Sequence, residues 1–374
     1  MSIRQHNLGS IVKPGFNPLG AQTSTTFYDL YSWGSNNNGQ LGLGDLTNRS
    51  SPNQVGALIT WKTVACPDLS GIAIKTDGTL WSWGYNIAGQ LGLGNTTSYS
   101  SPKQVGALTT WLYIAGGGYN TAAIKTDGTL WVWGDNYYGQ LGLGNLTYYS
   151  SPKQVGSLTN WSKVVTGVFT LSIKTDGTLW SWGKNNAGQL GSGTTVSRSS
   201  PVQVGALSTW LNIAAGSYVA LATKTDGTLW AWGENNQGQL GDGTLTNRSS
   251  PVQIGALTTW SKVACGQNHS LATKTDGTIW AWSSNSYGEL GLNNTTNYSS
   301  PKQIGALTTW LNIAAGSYFS IATKTDGTLW SWGLNDFGQL GIGNTTNYSS
   351  PKQVGSVTTW NAIATGRFFN LALG

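Results

Sequence analysis

The stretch Lys224-Thr225-Asp226-Gly227-Thr228-Leu229-Trp230-Ala231-Trp232-Gly233 decides the fold. Asp-Gly is a hairpin signal, because glycine takes positive φ without a Cβ clash and aspartate tolerates the left-handed region. Leu221-Ala222-Thr223-Lys224 lies before the turn, and Thr228 to Trp232 follows it. In the second arm a period of two sends Trp230 and Trp232 to one face and Leu229 and Ala231 to the other. Two short arms with both faces largely apolar read as an antiparallel hairpin buried on both sides.

The unit recurs. Its Trp-Gly tryptophan stands at 33, 83, 133, 182, 232, 282 and 332, at spacings of 50 with a single 49. The short interval traces to one deleted residue in Gly167-Val168-Phe169-Thr170-Leu171. A second set stands at 61, 111, 161, 210, 260, 310 and 360, and a third at 81, 131, 180, 230, 280 and 330. These sets account for all 20 tryptophans, so none is left over as a special ligand platform. The fifth copy reads as four strands: Trp210 to Ala214, Val219 to Lys224, Thr228 to Trp232 and, after a polar loop from Gly233 to Ser250, Pro251 to Gly255. Proline suits only the start or edge of a strand. Four short strands per ~50 residues, repeated seven times, predict an all-β fold, a seven-bladed β-propeller of four-stranded antiparallel blades.

The ends indicate how the ring closes. The last copy stops at Gly374, where Lys-Thr-Asp-Gly would follow, and the first begins only at Phe27. Joining them removes two open sheet edges. Residues 27–33 are therefore expected to pair antiparallel with 370–373, with Phe27, Leu30, Trp33 and Leu371 at the closure. Residues 27–374 form the propeller. Residues 1–26 lie outside the repeat and read as an extended arm, in which Pro14 and Pro18 bar a helix.

Composition narrows the chemistry. Charged residues are only 9%, while glycine (52), serine, threonine and asparagine supply turns. The net charge of +6 is not gathered into any basic run, so nucleic acid is an unlikely partner. Cys66 and Cys265 occupy the same repeat position, 199 residues apart, nearly opposite in a ring of seven, which excludes a disulfide between them. No stretch approaches a membrane span, and the first 20 residues lack the apolar core of a Sec-type signal peptide, so a virion or cytoplasmic location is expected.

Catalytic groups are scarce. His6 and His269 are the two histidines. Six aspartates, Asp77, Asp127, Asp176, Asp226, Asp276 and Asp326, sit in hairpins and serve turn geometry. No carboxylate pair fits glycoside hydrolysis and no Cys/His cluster fits zinc, so no catalytic residue, metal or cofactor is expected. Gly-Gln-Leu-Gly-x-Gly lacks the strand, loop and helix context of a phosphate loop. The hairpin lysines, Lys75, Lys125, Lys174, Lys224, Lys274 and Lys324, each two residues from an aspartate, read as a solvated rim.

The motif Trp-Gly-x-Asn-x-x-Gly-Gln-Leu-Gly-x-Gly stands at 33–44, 83–94, 133–144, 182–193, 232–243 and 332–343. It resembles the repeat of the regulator of chromosome condensation family, and the resemblance covers residues 27–374. In one copy Ser283, Glu289 and Asn293 replace Gly, Gln and Gly, so that long loop is expected to take a different shape. The resemblance implies a seven-bladed propeller and guanine-nucleotide exchange on a small GTPase, or chromatin-type adaptor work. No copy carries an insertion that would mark one blade as an exchange site. Around Gly15-Phe16-Asn17-Pro18-Leu19 the arm also resembles, over a short stretch, leaders of structural proteins from bacteriophages of aquatic bacteria.

The reading favoured by the sequence is a non-enzymatic binding or structural propeller, a virion component anchored by residues 1–26 on other virion proteins. The alternatives are the exchange factor or chromatin-type adaptor, and a multivalent glycan-binding propeller. Partner contacts are expected at Tyr99, Tyr148, Tyr149, Tyr298 and Tyr348 and at the lysines beside the prolines, Lys103, Lys153, Lys302 and Lys352.

Overall fold

A computed structural model describes residues 28–57 and 60–374. The 1–26 arm and Phe27 lie outside the described residues. Seven four-stranded antiparallel sheets follow one another around a central axis. Blade 1 joins the two ends of the chain: Ala362–Thr365, Phe369–Leu373, Leu30–Gly34 and Arg49–Gln54, from the axis outward. Blades 2 to 7 follow in chain order, with inner strands beginning at Trp61, Trp111, Trp161, Trp210, Trp260 and Trp310.

The expected ends are joined, but over Leu30–Gly34 rather than 27–33, and Tyr28 instead bridges Trp61 of blade 2. Leu30 pairs with Leu373, Ser32 with Leu371 and Trp33 with Asn370, all antiparallel. Trp33 and Leu371 are fully buried.

The alternation in the Trp230–Trp232 arm builds the core. Trp230 and Trp232 pack toward blade 4, on Leu171, Ile173 and Leu190. Leu229 and Ala231 pack toward blade 6, on Trp260 and Trp282. Each junction repeats this two-sided arrangement, so the core is seven interblade layers rather than one centre. The shortened copy differs at its inner turn: Gly167 N–H donates to Phe169 O, whereas Gly216 N–H reaches Val219 O in blade 5.

The Trp-Gly-Asn-Gln motif is a splint between neighbouring blades. Asn235 Oδ1 accepts from Leu240 N–H at 3.0 Å, and its Nδ2 donates to Thr244 O and Thr246 O. The loop so tied offers Gln239 O to the indole N–H of Trp282 in blade 6, at 2.8 Å. A Cβ on Gly241 would lie 2.8 Å from that nitrogen, which explains the glycine. The motif is therefore packing chemistry.

Three local expectations need correction. The outer strand of blade 5 begins at Arg248, three residues before Pro251. Its outer side is an edge, so the missing proline N–H breaks no ladder bond. In the hairpin only Gly227 takes positive φ (+77°). Asp226 instead accepts from Thr228 N–H and Oγ1–H, at 3.0 and 2.6 Å. The loop after Trp282 keeps the common shape, because Ser283 (φ 89°) and Asn293 (φ 59°) adopt the glycine conformation themselves. Glu289 replaces the glutamine by accepting from Ser284 Oγ–H and Tyr287 N–H.

Glu289 is fully buried, and burial raises its carboxyl above the ordinary 4.5. Between that value and the raised one, the folded chain keeps a proton that the unfolded chain has released. The contribution of Glu289 to stability is therefore fully present below about pH 4.5 and falls as pH rises through the window. Glu289→Gln is expected to remove this slope and to stabilise the protein at pH 7 by about 1 kcal/mol. Melting temperatures of both proteins between pH 4 and pH 8 check this; parallel curves would contradict it.

Candidate functional site

The inner strands enclose an axial channel of about 460 Å³. Toward its hairpin end the strands are laced by side chains. Lys163 donates to Leu211 O and Asn212 Oδ1, Asn212 to Ser261 O, Lys262 to Leu311 O and Asn312 Oδ1, and Asn312 to Asn361 O. At the other mouth Asp68 and Arg367 face the channel. Burial raises the Asp68 carboxyl to about 6, against the opposing pull of Arg367. Cys66 and Cys265 both line the channel as free thiols.

Among the described residues no group of His, Cys, Asp and Glu is placed to hold a metal ion. No helix of the described residues is long and apolar enough to cross a membrane. His269 is a core residue whose Nε2 lies 3.0 Å from Ser320 Oγ. Burial lowers its pKa to about 3. Between 6.5 and that value the unfolded chain binds a proton that the folded chain does not, so the contribution of His269 to stability is fully present above about pH 6.5 and is lost as pH falls. Phe169, Phe319 and Phe369 hold the equivalent position in other blades. His269→Phe should therefore gain about 2 kcal/mol over the parent at pH 5 and much less at pH 8. Urea unfolding at the two pH values measures the difference; a pH-independent gain would refute it.

The expected contact residues lie on the outer rim. Tyr99, Tyr149, Tyr298 and Tyr348 open the outer strands of blades 2, 3, 6 and 7. Lys103, Lys153, Lys302 and Lys352 stand four residues on, each ammonium 5.1–5.5 Å from its own tyrosine ring. Alternation along a strand puts residues four apart on one side, which brings each pair together. Tyr148 is different. It lies just before its strand, 48% exposed, its phenol raised to about 12 by burial and by Asp135. Blades 1, 4 and 5 carry Arg49, Arg198 and Arg248 in place of the tyrosine, with Asn53, Val202 and Val252 in place of the lysine. Arg49 and Arg248 pair with Asp45 and Asp242 at 2.6 and 3.0 Å.

The hairpin lysines are not the solvated rim expected. Lys224 is 5% exposed, its Nζ 3.5 Å from the Trp230 ring centre and 4.8 Å from that of Trp210. The same sandwich recurs at Lys75, Lys125, Lys174, Lys274 and Lys324. The signal was present in the cross-strand register, which sets Trp210 opposite Lys224.

The family model of the RCC1-like domain (WD40_RLD) matches residues 25–259 and 164–374. The chain belongs to the RCC1-like domain family. No curated protein matches it. Among solved structures it is similar to human WBSCR16, at 21% identity and TM-score 0.83, covering 93% of this chain and 98% of that one. It is also similar to Prp20p of Saccharomyces cerevisiae, described with its binding properties to Gsp1p and histones, at 21% identity and TM-score 0.81, covering 94% and 92%. Yeast RCC1 (Prp20) bound by Kap60 matches at 18% identity and TM-score 0.83, covering 100% and 96%. At these identities the likeness carries the fold.

Proposed function

We propose that this chain is a protein-binding propeller of the exchange-factor or chromatin-adaptor kind. The observation that carries the reading is the fate of the repeat motif. Its Trp, Asn, Gln and Gly residues are consumed in joining one blade to the next, which leaves recognition to the exposed surface. The similar yeast propeller is described with binding to proteins, Gsp1p and histones, and this supports a protein ligand here. The virion role has no such support, and the arm that would serve it lies outside the described residues.

The Tyr–Lys pairs of blades 2, 3, 6 and 7, which flank blade 1 on either side, are the proposed contacts. Tyrosine supplies rigid amphipathic contact area, and each lysine stacked on it is partly pre-ordered. The test is nucleotide release from Gsp1p and a panel of small GTPases, beside binding to purified histones. Accelerated release assigns exchange, and binding without release assigns the adaptor role. Absence of both sinks the proposal. Lys103→Glu combined with Lys352→Glu is expected to weaken the observed binding at least tenfold.

A further inference from the structure

We infer that the clefts between blades on the hairpin face take an acidic and aliphatic segment of a partner protein, a carboxylate set beside a branched side chain. The inference rests on the protein-binding reading above and names a second surface for it. At the junction of blades 4 and 5 the cleft measures about 310 Å³ and is lined by Val204, Leu207, Trp210, Lys224, Trp230 and Pro251. The junction of blades 1 and 2 repeats it at about 360 Å³, with Val55, Trp61, Lys75, Trp81 and Pro102.

Two features set the chemistry of the occupant. The first is the ammonium. Lys224 is more than nine-tenths buried and its Nζ faces two indole rings. An ammonium has three N–H donors, and rings satisfy its charge without accepting them as an oxygen does. Asp226 acts on it through its field, and no hydrogen bond or ion pair joins the two side chains. The ion pairs among the described residues are elsewhere, at Arg49–Asp45 and Arg248–Asp242. Lys224 is reached from the open cleft, where an entering carboxylate makes a charge-assisted hydrogen bond with its Nζ.

The second feature is the wall. Val204, Pro251 and the half-exposed Leu207 are aliphatic, and Trp230 turns part of its ring to the cleft. Ser192, Gln203 and Ser250 also line the cleft, so a sugar acid would find polar partners there too, and the glucuronate arm of the test separates it from a peptide. The cleft holds one or two side chains and not a folded domain. Leu158, Leu257 and Leu307 are exposed at the equivalent place in other blades. Six lysine sandwiches around the ring therefore offer a repeated acidic segment several sites at once.

The test uses the full chain and three probes: the capped peptide Leu-Glu-Leu-Asp-Leu, its Gln/Asn twin, and glucuronate. Tryptophan emission and calorimetry read binding. The acidic peptide is expected to bind at least tenfold tighter than the twin and to weaken as salt rises. Lys224→Gln should remove one peptide site from the stoichiometry and leave the others. Equal binding of the twins overturns the inference, as does glucuronate binding as tightly as the peptide. Should Lys224→Gln not fold, the twin comparison on the parent protein decides alone. If the peptide binds while Gsp1p, other GTPases and histones do not, the inference stands and the partner class proposed above falls.

Discussion

Trp33→Ala is expected to lower the unfolding free energy by about 3–5 kcal/mol and the melting temperature by roughly 4–7 °C. Trp33 is fully buried, and its indole N–H donates to Gln339 O at 3.0 Å, across 306 residues of sequence. It also packs against Trp360, ring centres 6.1 Å apart. Truncation therefore opens a cavity, orphans a carbonyl and weakens the one blade whose strands come from both ends of the chain. Trp232→Ala is the control. That residue makes the same bond, to Gln189 O at 3.0 Å, but between blades already adjacent in sequence. Each variant loses similar contacts, while only Trp33→Ala releases a closure whose chain-entropy cost is long-range. Near its midpoint Trp33→Ala should show a radius of gyration larger than that of Trp232→Ala in small-angle scattering, with a broader transition. Identical midpoints and identical radii would mean that the ring is not held shut at blade 1.

What the sequence made legible was whatever repeats or is local. The period-two arm around Trp230 fixed both faces of its strand, because alternation needs no partner to be read. The phase of the repeat exposed the closure, since the first and last copies hold complementary strands of one blade, which pair as Leu30–Gly34 with Phe369–Leu373. Less legible was what depends on register between strands. Lys224 looked solvated beside Asp226, yet pairing places it against Trp210, and the turn folds its stem over Trp230. Arg248 to Ser250 read as loop because they are polar; they form a strand because an outermost strand faces water on its free side. Ser283 and Asn293 suggested a deviant loop, yet they accept the left-handed conformation because the splint around Asn285 is intact. The rim sites were legible as residue types, while their pairing over four positions required the strand to be placed.

Gly227→Ala should cost roughly 4 kcal/mol, well above the about 1–2 kcal/mol expected for Gly255→Ala. The two glycines share a left-handed φ, +77° and +64°. They differ in what a methyl group would meet. At Gly255 nothing lies within 4 Å, so alanine bears only the conformational penalty. At Gly227 the new carbon would sit 2.0 Å from Thr258 O, a contact no rotamer can relieve because both atoms belong to backbone or Cβ. The loop before Trp260 must then move away. That movement stretches the bond from Trp260 N–H to Gly227 O, now 2.9 Å, and the bond from Thr275 N–H to Thr259 O, now 2.8 Å. It also disturbs the Trp–Lys cleft of the neighbouring sandwich, so peptide stoichiometry should fall with stability in Gly227→Ala and not in Gly255→Ala. Urea midpoints of the two variants, at unchanged m-value, separate strain from collision. Equal losses would show that the hairpin is not wedged against the next blade, and that the Asp-Gly turn answers to its own conformation alone.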